Sequence, residues 1–156
     1  MKVTKINKAG LDLIKSFEGF SSKAYVDPAT GGLPITIGYG STRYTNGNKI
    51  KLTDPAISIE EAEKLLADTM GQYELAVDAM AVDSLNANQF SALVSFCYNC
   101  GASNLKSSTL LKKVNANPND PNISAEFKRW NKGAGNVLAG LTRRRKAEHE
   151  LYFKPC

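Results

Sequence analysis

The chain has 156 residues, 42% hydrophobic and 22% charged, with a net charge of +5. That length allows one domain with a real core or two small lobes, and the composition is that of a globular protein in water. The aliphatic runs are too short to span a bilayer. The basic excess favours polyanionic partners without choosing among nucleic acid, anionic lipid and acidic envelope polymers.

Leu11, Leu13, Ile14 and Phe17 form an apolar face that predicts a helix over 7–18, ended by Gly19. The opening stretch "MKVTKINKAGLDLIKSFEGF" carries charges through its apolar part and has no small-residue cleavage site, so no signal peptide is read. Residues 20–57 are rich in Gly, Pro, Thr, Tyr and Asn, with short alternating runs in "KAYVD" and "PITIGYG". They predict a small antiparallel sheet with turns at 27–32 and 46–47. Ser58 followed by Glu61 is a capping box that opens a helix over 59–80, roughly 33 Å long and able to join two parts of the molecule.

From residue 84 the chain reads as helical to its end. Asn86 caps "ANQFSALVSFCYNC" and Gly101 stops it; "SSTLLKKVNANP" is a short helix stopped before Pro118; "SAEFKRWNK" is another, ending near Gly133; "GLTRRRKAEHELYF" is a last amphipathic helix. The sum is an α+β fold with a helical majority. A cleft between the sheet lobe and the helical lobe is the expected place for a site.

Taken one at a time, the polar residues have bland readings beside sharp ones. Glu18 ends an apolar helix, where the macrodipole disfavours a charged carboxylate. It is either a surface or salt-bridged glutamate or a general acid. Asp27, before Pro28, is a turn former or a second carboxylate. Thr36 lies between Ile35 and Ile37 and should face opposite to them, as a strand filler or a polar group of a site. Arg143, Arg144 and Arg145 read as a solvated helix face, His149 as a solvated histidine, and Trp130 as a helix-packing residue. Cys97 and Cys100 lie in a helical pattern, and Cys156 and one His are the only other soft ligands, too few for zinc; the pair reads as buried reduced thiols. The glycines of "GGLPITIGYG" match no phosphate-loop pattern. Together these signals favour a carboxylate-based hydrolase with neither metal nor cofactor, since a Glu and an Asp are the minimum for cleaving a glycosidic bond.

The order "FEGF…AYVD…GGLPITIGYGST", with eight residues between Glu18 and Asp27, resembles the start of phage-type lysozymes, the endolysins of glycoside hydrolase family 24. The likeness continues through "SIEEAEKLLADTM", "LNANQFSALVSFCYNCG", "SSTLLKKVN" and "GLTRRRKAEHELY", about residues 7–153. It implies one lysozyme-like catalytic domain over 1–156, with a sheet lobe at 20–57, a connecting helix at 59–80 and a helical lobe at 84–156. It also implies cleavage of the β-1,4 bond between N-acetylmuramic acid and N-acetylglucosamine in peptidoglycan, by inversion. Glu18 matches the family's general acid, Asp27 the residue that holds or activates the attacking water, and Thr36 the residue that helps seat it. Two departures stand out: eight residues separate Asp27 from Thr36, more than in the family's shortest hairpins, and "FCYNCG" carries two cysteines.

By the same resemblance the partners are peptidoglycan glycan strands; the basic sequence also permits anionic envelope lipids, nucleic acid is not expected, and a monomer is the default because no exposed apolar stripe asks for a partner. It would be made in the host cytoplasm and reach the wall through a holin pore. The rival readings are a lytic transglycosylase, which uses one Glu and no water-placing Asp, and a non-catalytic basic protein that binds wall or nucleic acid.

Overall fold

The computed structural model describes residues 2–27, 31–133 and 135–156. It is mainly helical with a small antiparallel sheet, so the fold is α+β. The chain divides into two compact units, one formed by Ile14–Gly71 and the other by Met1–Leu13 with Gln72–Cys156. Helices α1 (Lys8–Glu18) and α2 (Ile59–Met80) each contribute residues to both. Among the described residues no helix is long and apolar enough to cross a membrane.

In the Ile14–Gly71 unit, strands β1 (Ser21–Asp27) and β2 (Gly32–Gly38) pair antiparallel. The expected turn at 27–32 falls partly on 28–30, outside the described residues. After β2 the chain holds two isolated bridges, Ile37 with Ser41 and Arg43 with Lys49, and Gly47 takes a φ of +89° in the expected turn. Ile37, Ile50 and Leu65 are buried together, with Ala24, Ile35, Tyr44 and Ile57 packed around them. The capping box is present: Ser58 Oγ accepts from the Glu61 amide at 3.1 Å, and Glu61 accepts from the Ser58 amide at 3.2 Å.

The other unit is built on α3 (Ala87–Cys100), whose residues from Asn88 to Cys97 are all buried. Asn86 and Gln89 close its capping box at 2.8 and 2.9 Å, and Gly101 ends it with a φ of +95°. Helices α4 (Ala102–Ser107), α5 (Thr109–Ala116), α6 (Ile123–Lys128) and α7 (Ala139–Phe153) follow. Three differences from the sequence reading appear here. Gly101 stops α3 but starts α4 at once, and six residues are too few for periodicity to reveal. Helix α6 ends at Lys128, five residues before Gly133. The run to the end is not all helical, because β3 (Lys132–Gly133) and β4 (Asn136–Val137) form a two-residue antiparallel ladder.

The arginine run is corrected most sharply. Arg143 is exposed, but Arg144 and Arg145 are buried, at 3% and 0% exposure, as is Glu148 at 0%. Helix α7 packs on α3 through them. Arg145 Nε stands 2.7 Å from Glu148 Oε1, an ion pair in contact although neither atom makes a well-directed hydrogen bond. Arg144 Nε lies 3.4 Å from Glu148 Oε2, and Ser95 Oγ donates to the same oxygen at 2.6 Å. Arg145 also donates to Asn99 Oδ1 at 2.7 Å and to Cys100 Sγ, and its guanidinium lies 5.1 Å from the Phe96 ring centre. Burial pushes the Glu148 carboxyl up, and the two guanidiniums oppose that shift. Around this cluster the rings of Phe96, Phe127 and Trp130 meet edge to face, the expected packing role for Trp130.

The cysteines are free: Cys97 is buried, with its thiol pushed up to about 11 by burial, Cys100 is half-buried, and Cys156 is exposed. His149 is half-buried rather than solvated, and its Nε2 is sealed with no hydrogen-bond partner among the described residues. Burial lowers its pKa, as do Lys128 and Lys146, while Glu150 raises it.

Replacing Glu148 by Ala leaves the buried Arg145 guanidinium without its ion-pair partner and should cost about 3–5 kcal/mol in urea unfolding. For His149 the lowered folded pKa means that the unfolded chain takes up the proton first. Its share of stability is whole above the ordinary value of 6.5 and is lost as pH falls from there towards the folded value. A His149→Gln variant should therefore show a shallower fall in urea midpoint across that acidic window than the parent chain.

Candidate active site

The three residues singled out by sequence all lie in the Ile14–Gly71 unit. Helix α1 begins where Asn7 Oδ1 accepts from the Gly10 amide at 2.9 Å, and it runs until Glu18. The Gly19 amide closes the last turn on the Lys15 carbonyl at 3.0 Å. Gly19 then takes a φ of +70°, a left-handed conformation that costs a residue with a Cβ about 1–2 kcal/mol. The chain thus leaves the helix directly after Glu18 and enters β1 two residues later. Glu18 is half-buried at this junction.

The hairpin supplies the other two. Tyr25 stands opposite Thr36, Val26 opposite Ile35, and then the register shifts so that Asp27 stands opposite Gly32. Asp27 is thus the last residue of β1, and Thr36 lies on the neighbouring strand, two rungs back. Thr36 is buried at 7% exposure, and its hydroxyl donates to the Pro34 carbonyl at 3.4 Å. That is a weak internal bond, which leaves the hydroxyl lone pairs for another donor.

Beyond Thr36 the strand is locked from behind. Ile37 exchanges two backbone bonds with Ser41, at 2.9 and 3.0 Å. Gly38 takes a φ of +66°, and a Cβ there would stand 3.1 Å from the Ala62 Cβ on α2. The Tyr39 ring in the same turn meets the Phe20 ring at a tilt of 51° with centres 5.5 Å apart, and the Lys15 ammonium sits 5.8 Å from the Tyr39 ring centre. Lys15 also lies 3.8 Å from Glu63 on α2. Residues of α1, β2 and α2 are therefore tied together, which fixes the strand of Thr36 against the helix that carries Glu18. The sequence reading missed Ser41, whose hydroxyl is buried without a hydrogen-bond partner among the described residues; only its place just after "TIGYG" hinted at it.

A helix-terminal carboxylic acid beside a short hairpin that ends in Asp and carries a buried Thr can serve acid–base cleavage of a glycosidic bond. Among the described residues no cluster of three or more His, Cys, Asp or Glu side chains is placed to hold a metal ion.

Residues 15–148 match the family model described as phage lysozyme. The chain belongs to the phage lysozyme family. Within it, the endolysin of Bacillus phage B103 is 44% identical over 95% of this chain. The chain spans about half of that curated relative, 54% of its length. Among solved structures, an endolysin from Escherichia coli O157:H7 phage FAHEc1 superposes with a TM-score of 0.86 at 33% identity, covering 98% of this chain and 96% of that one. The muramidase domain of SpmX from Asticaccaulis excentricus gives a TM-score of 0.79 at 33% identity, covering 97% and 99%. The lysozyme-like fold expected from the motif order is therefore the fold of the family.

If the glycine turn behind Thr36 is what holds the hairpin, Gly38→Ala must place a Cβ in a left-handed backbone against Ala62. It should lower stability by about 1–2 kcal/mol, read as a shift of the urea midpoint.

Proposed function

We propose that this chain is a muramidase that hydrolyses the β-1,4 bond between N-acetylmuramic acid and N-acetylglucosamine in bacterial peptidoglycan, as the lytic enzyme of a phage. The observation that supports this reading best is the junction at Gly19, where α1 ends at Glu18 and the chain turns into the hairpin whose strands carry Asp27 and Thr36. Membership of the phage lysozyme family and the likeness to a muramidase domain support it.

In this mechanism Glu18 is the general acid. It gives its proton to the glycosidic oxygen as the bond to the anomeric carbon lengthens and positive charge spreads over that carbon and the ring oxygen. Asp27 takes a proton from a water on the opposite face of the sugar, and the Thr36 hydroxyl helps to seat that water. The two carboxyl groups of an inverting glycosidase stand about 6.5–9.5 Å apart to leave room for the nucleophile. A single displacement then inverts the anomeric centre, and neither metal nor cofactor takes part. The chain's net charge of +5 suits an anionic wall and the anionic lipids beside it. These 156 residues work as a monomeric lysozyme-like catalytic unit, reaching the substrate from the host cytoplasm through a membrane pore.

The test is loss of turbidity of purified peptidoglycan, with Glu18→Gln beside the parent chain and the products read by mass spectrometry and NMR. The parent should release water-added muropeptides whose first anomer is inverted. The variant should keep its melting temperature and lose about 10²–10⁴-fold in rate, the usual worth of a general acid. Products ending in a 1,6-anhydro ring would make the enzyme a lytic transglycosylase, and a retained anomer would overturn the single displacement.

A further inference from the structure

A pocket of about 480 Å³ opens in the Ile14–Gly71 unit among residues that the proposed mechanism does not use. Its apolar lining is Leu65, a member of the buried cluster, and Ile57, which packs against that cluster. Tyr44 also lines it, with its phenol fixed by a 2.7 Å bond to Asp54 Oδ2. Burial and the Asp54 carboxylate push that phenol up to about 12, so the wall is neutral at working pH.

The loop that carries Tyr44 is braced. The Tyr44 amide donates to the Asn48 carbonyl at 2.9 Å, Asn46 Oδ1 accepts from the Asn48 amide at 2.9 Å, and Thr45 Oγ1 donates to Asp68 on α2 at 2.8 Å. With its oxygen engaged in the turn, the Asn46 amide has its two N–H donors left for a ligand. Two opposite charges complete the lining. Glu61 spends one oxygen on the Ser58 amide and has the second left over. Lys64, exposed and three residues further along α2, has no ion-pair or hydrogen-bond partner among the described residues. Residues three apart on a helix lie side by side, so carboxylate and ammonium flank the same opening.

We propose that this pocket binds a short peptide that carries both a free carboxylate and a free ammonium: the stem peptide of the wall polymer, held outside the catalytic residues. Its volume lies within the roughly 300–1,000 Å³ of small-ligand sites. Lys64 meets the peptide carboxylate, Glu61 meets its ammonium, the Asn46 amide donates to a peptide carbonyl, and Ile57 and Leu65 take an alanine methyl. A neutral sugar would use Tyr44 and Asn46 but leave both charges without a counterpart. The source of the peptide rests on the muramidase reading above; the chemistry of the pocket does not.

Two measurements test it. In the first, ¹⁵N-labelled Glu18→Gln protein is titrated with the tripeptide alanyl-γ-glutamyl-diaminopimelate and, separately, with chitotriose. The tripeptide should shift the amides of residues 44–46, 57 and 61–65 to saturation, and Lys64→Glu should weaken it about tenfold, the worth of one charge-assisted contact. Absence of these shifts, or shifts with chitotriose alone, overturns the proposal, the latter in favour of a sugar site. In the second, hydrolysis of intact peptidoglycan is compared with that of glycan strands stripped of peptide. Lys64→Glu should lower the ratio of the two rates by about threefold or more, and an unchanged ratio overturns the role in wall binding. If the parent chain cleaves neither polymer, the muramidase reading fails, while the titration still decides the pocket.

Discussion

The close approach of Gly38 to Ala62 is the constraint on which the site's construction depends. Ile37 beside it is fully buried in a cluster drawn from β2, the following loop and α2. A Cβ at position 38 would force the hairpin and α2 to give by a few tenths of an ångström at the point where that cluster closes. Because β1 is paired to β2, and the Ile57 amide donates to Ser22 at 2.8 Å, the whole hairpin inherits its position from this contact. Tyr39, Phe20 and Lys15 carry the constraint on to the end of α1. Backbone proximity and a small apolar cluster thus set the position of the hairpin that follows the Glu18 junction.

The other unit solves its packing problem in the opposite way. Helix α7 presents two arginines and a glutamate where an apolar stripe is usual, and α3 meets them with Ser95, Asn99 and Cys100. Removing such charges from water is expensive, and only a nearly complete set of partners offsets that cost. The reward is geometric: planar guanidiniums and directed oxygens accept few alternative arrangements, whereas leucines would tolerate several. The aromatic rings of Phe96, Phe127 and Trp130 fill the remaining space.

What was legible in the sequence was whatever is decided locally. The capping box at Ser58 with Glu61 and the cap at Asn86 are each contained in four residues, and both stand as read; Gln89 completes the second as a box, which was not read. The end of α1 at Gly19 is equally local. Arg144 and Arg145 were misread because a helical period sorts residues by polarity, and the partner that draws them inward includes Ser95, 49 residues from Arg144. The β3–β4 ladder is too short to alternate, and α4 too short to repeat. At the site, motif order nominated Glu18, Asp27 and Thr36, but it did not reveal the register shift between Val26 and Asp27. The Tyr44 pocket was invisible for a different reason: its walls come from segments that meet only after α2 has docked.

The path of the chain also has a consequence in time. The Ile6 amide finds its acceptor on Glu74, and the Asn7 amide finds Ser91 Oγ, 84 residues later. At ordinary synthesis rates a gap of 84 residues is roughly 4–17 s on the ribosome. During that interval the whole Ile14–Gly71 segment emerges and can close its own cluster, while the residues made first remain without their partners. The head of the chain is therefore stitched in late, after the segment that carries the candidate acid has been made in full.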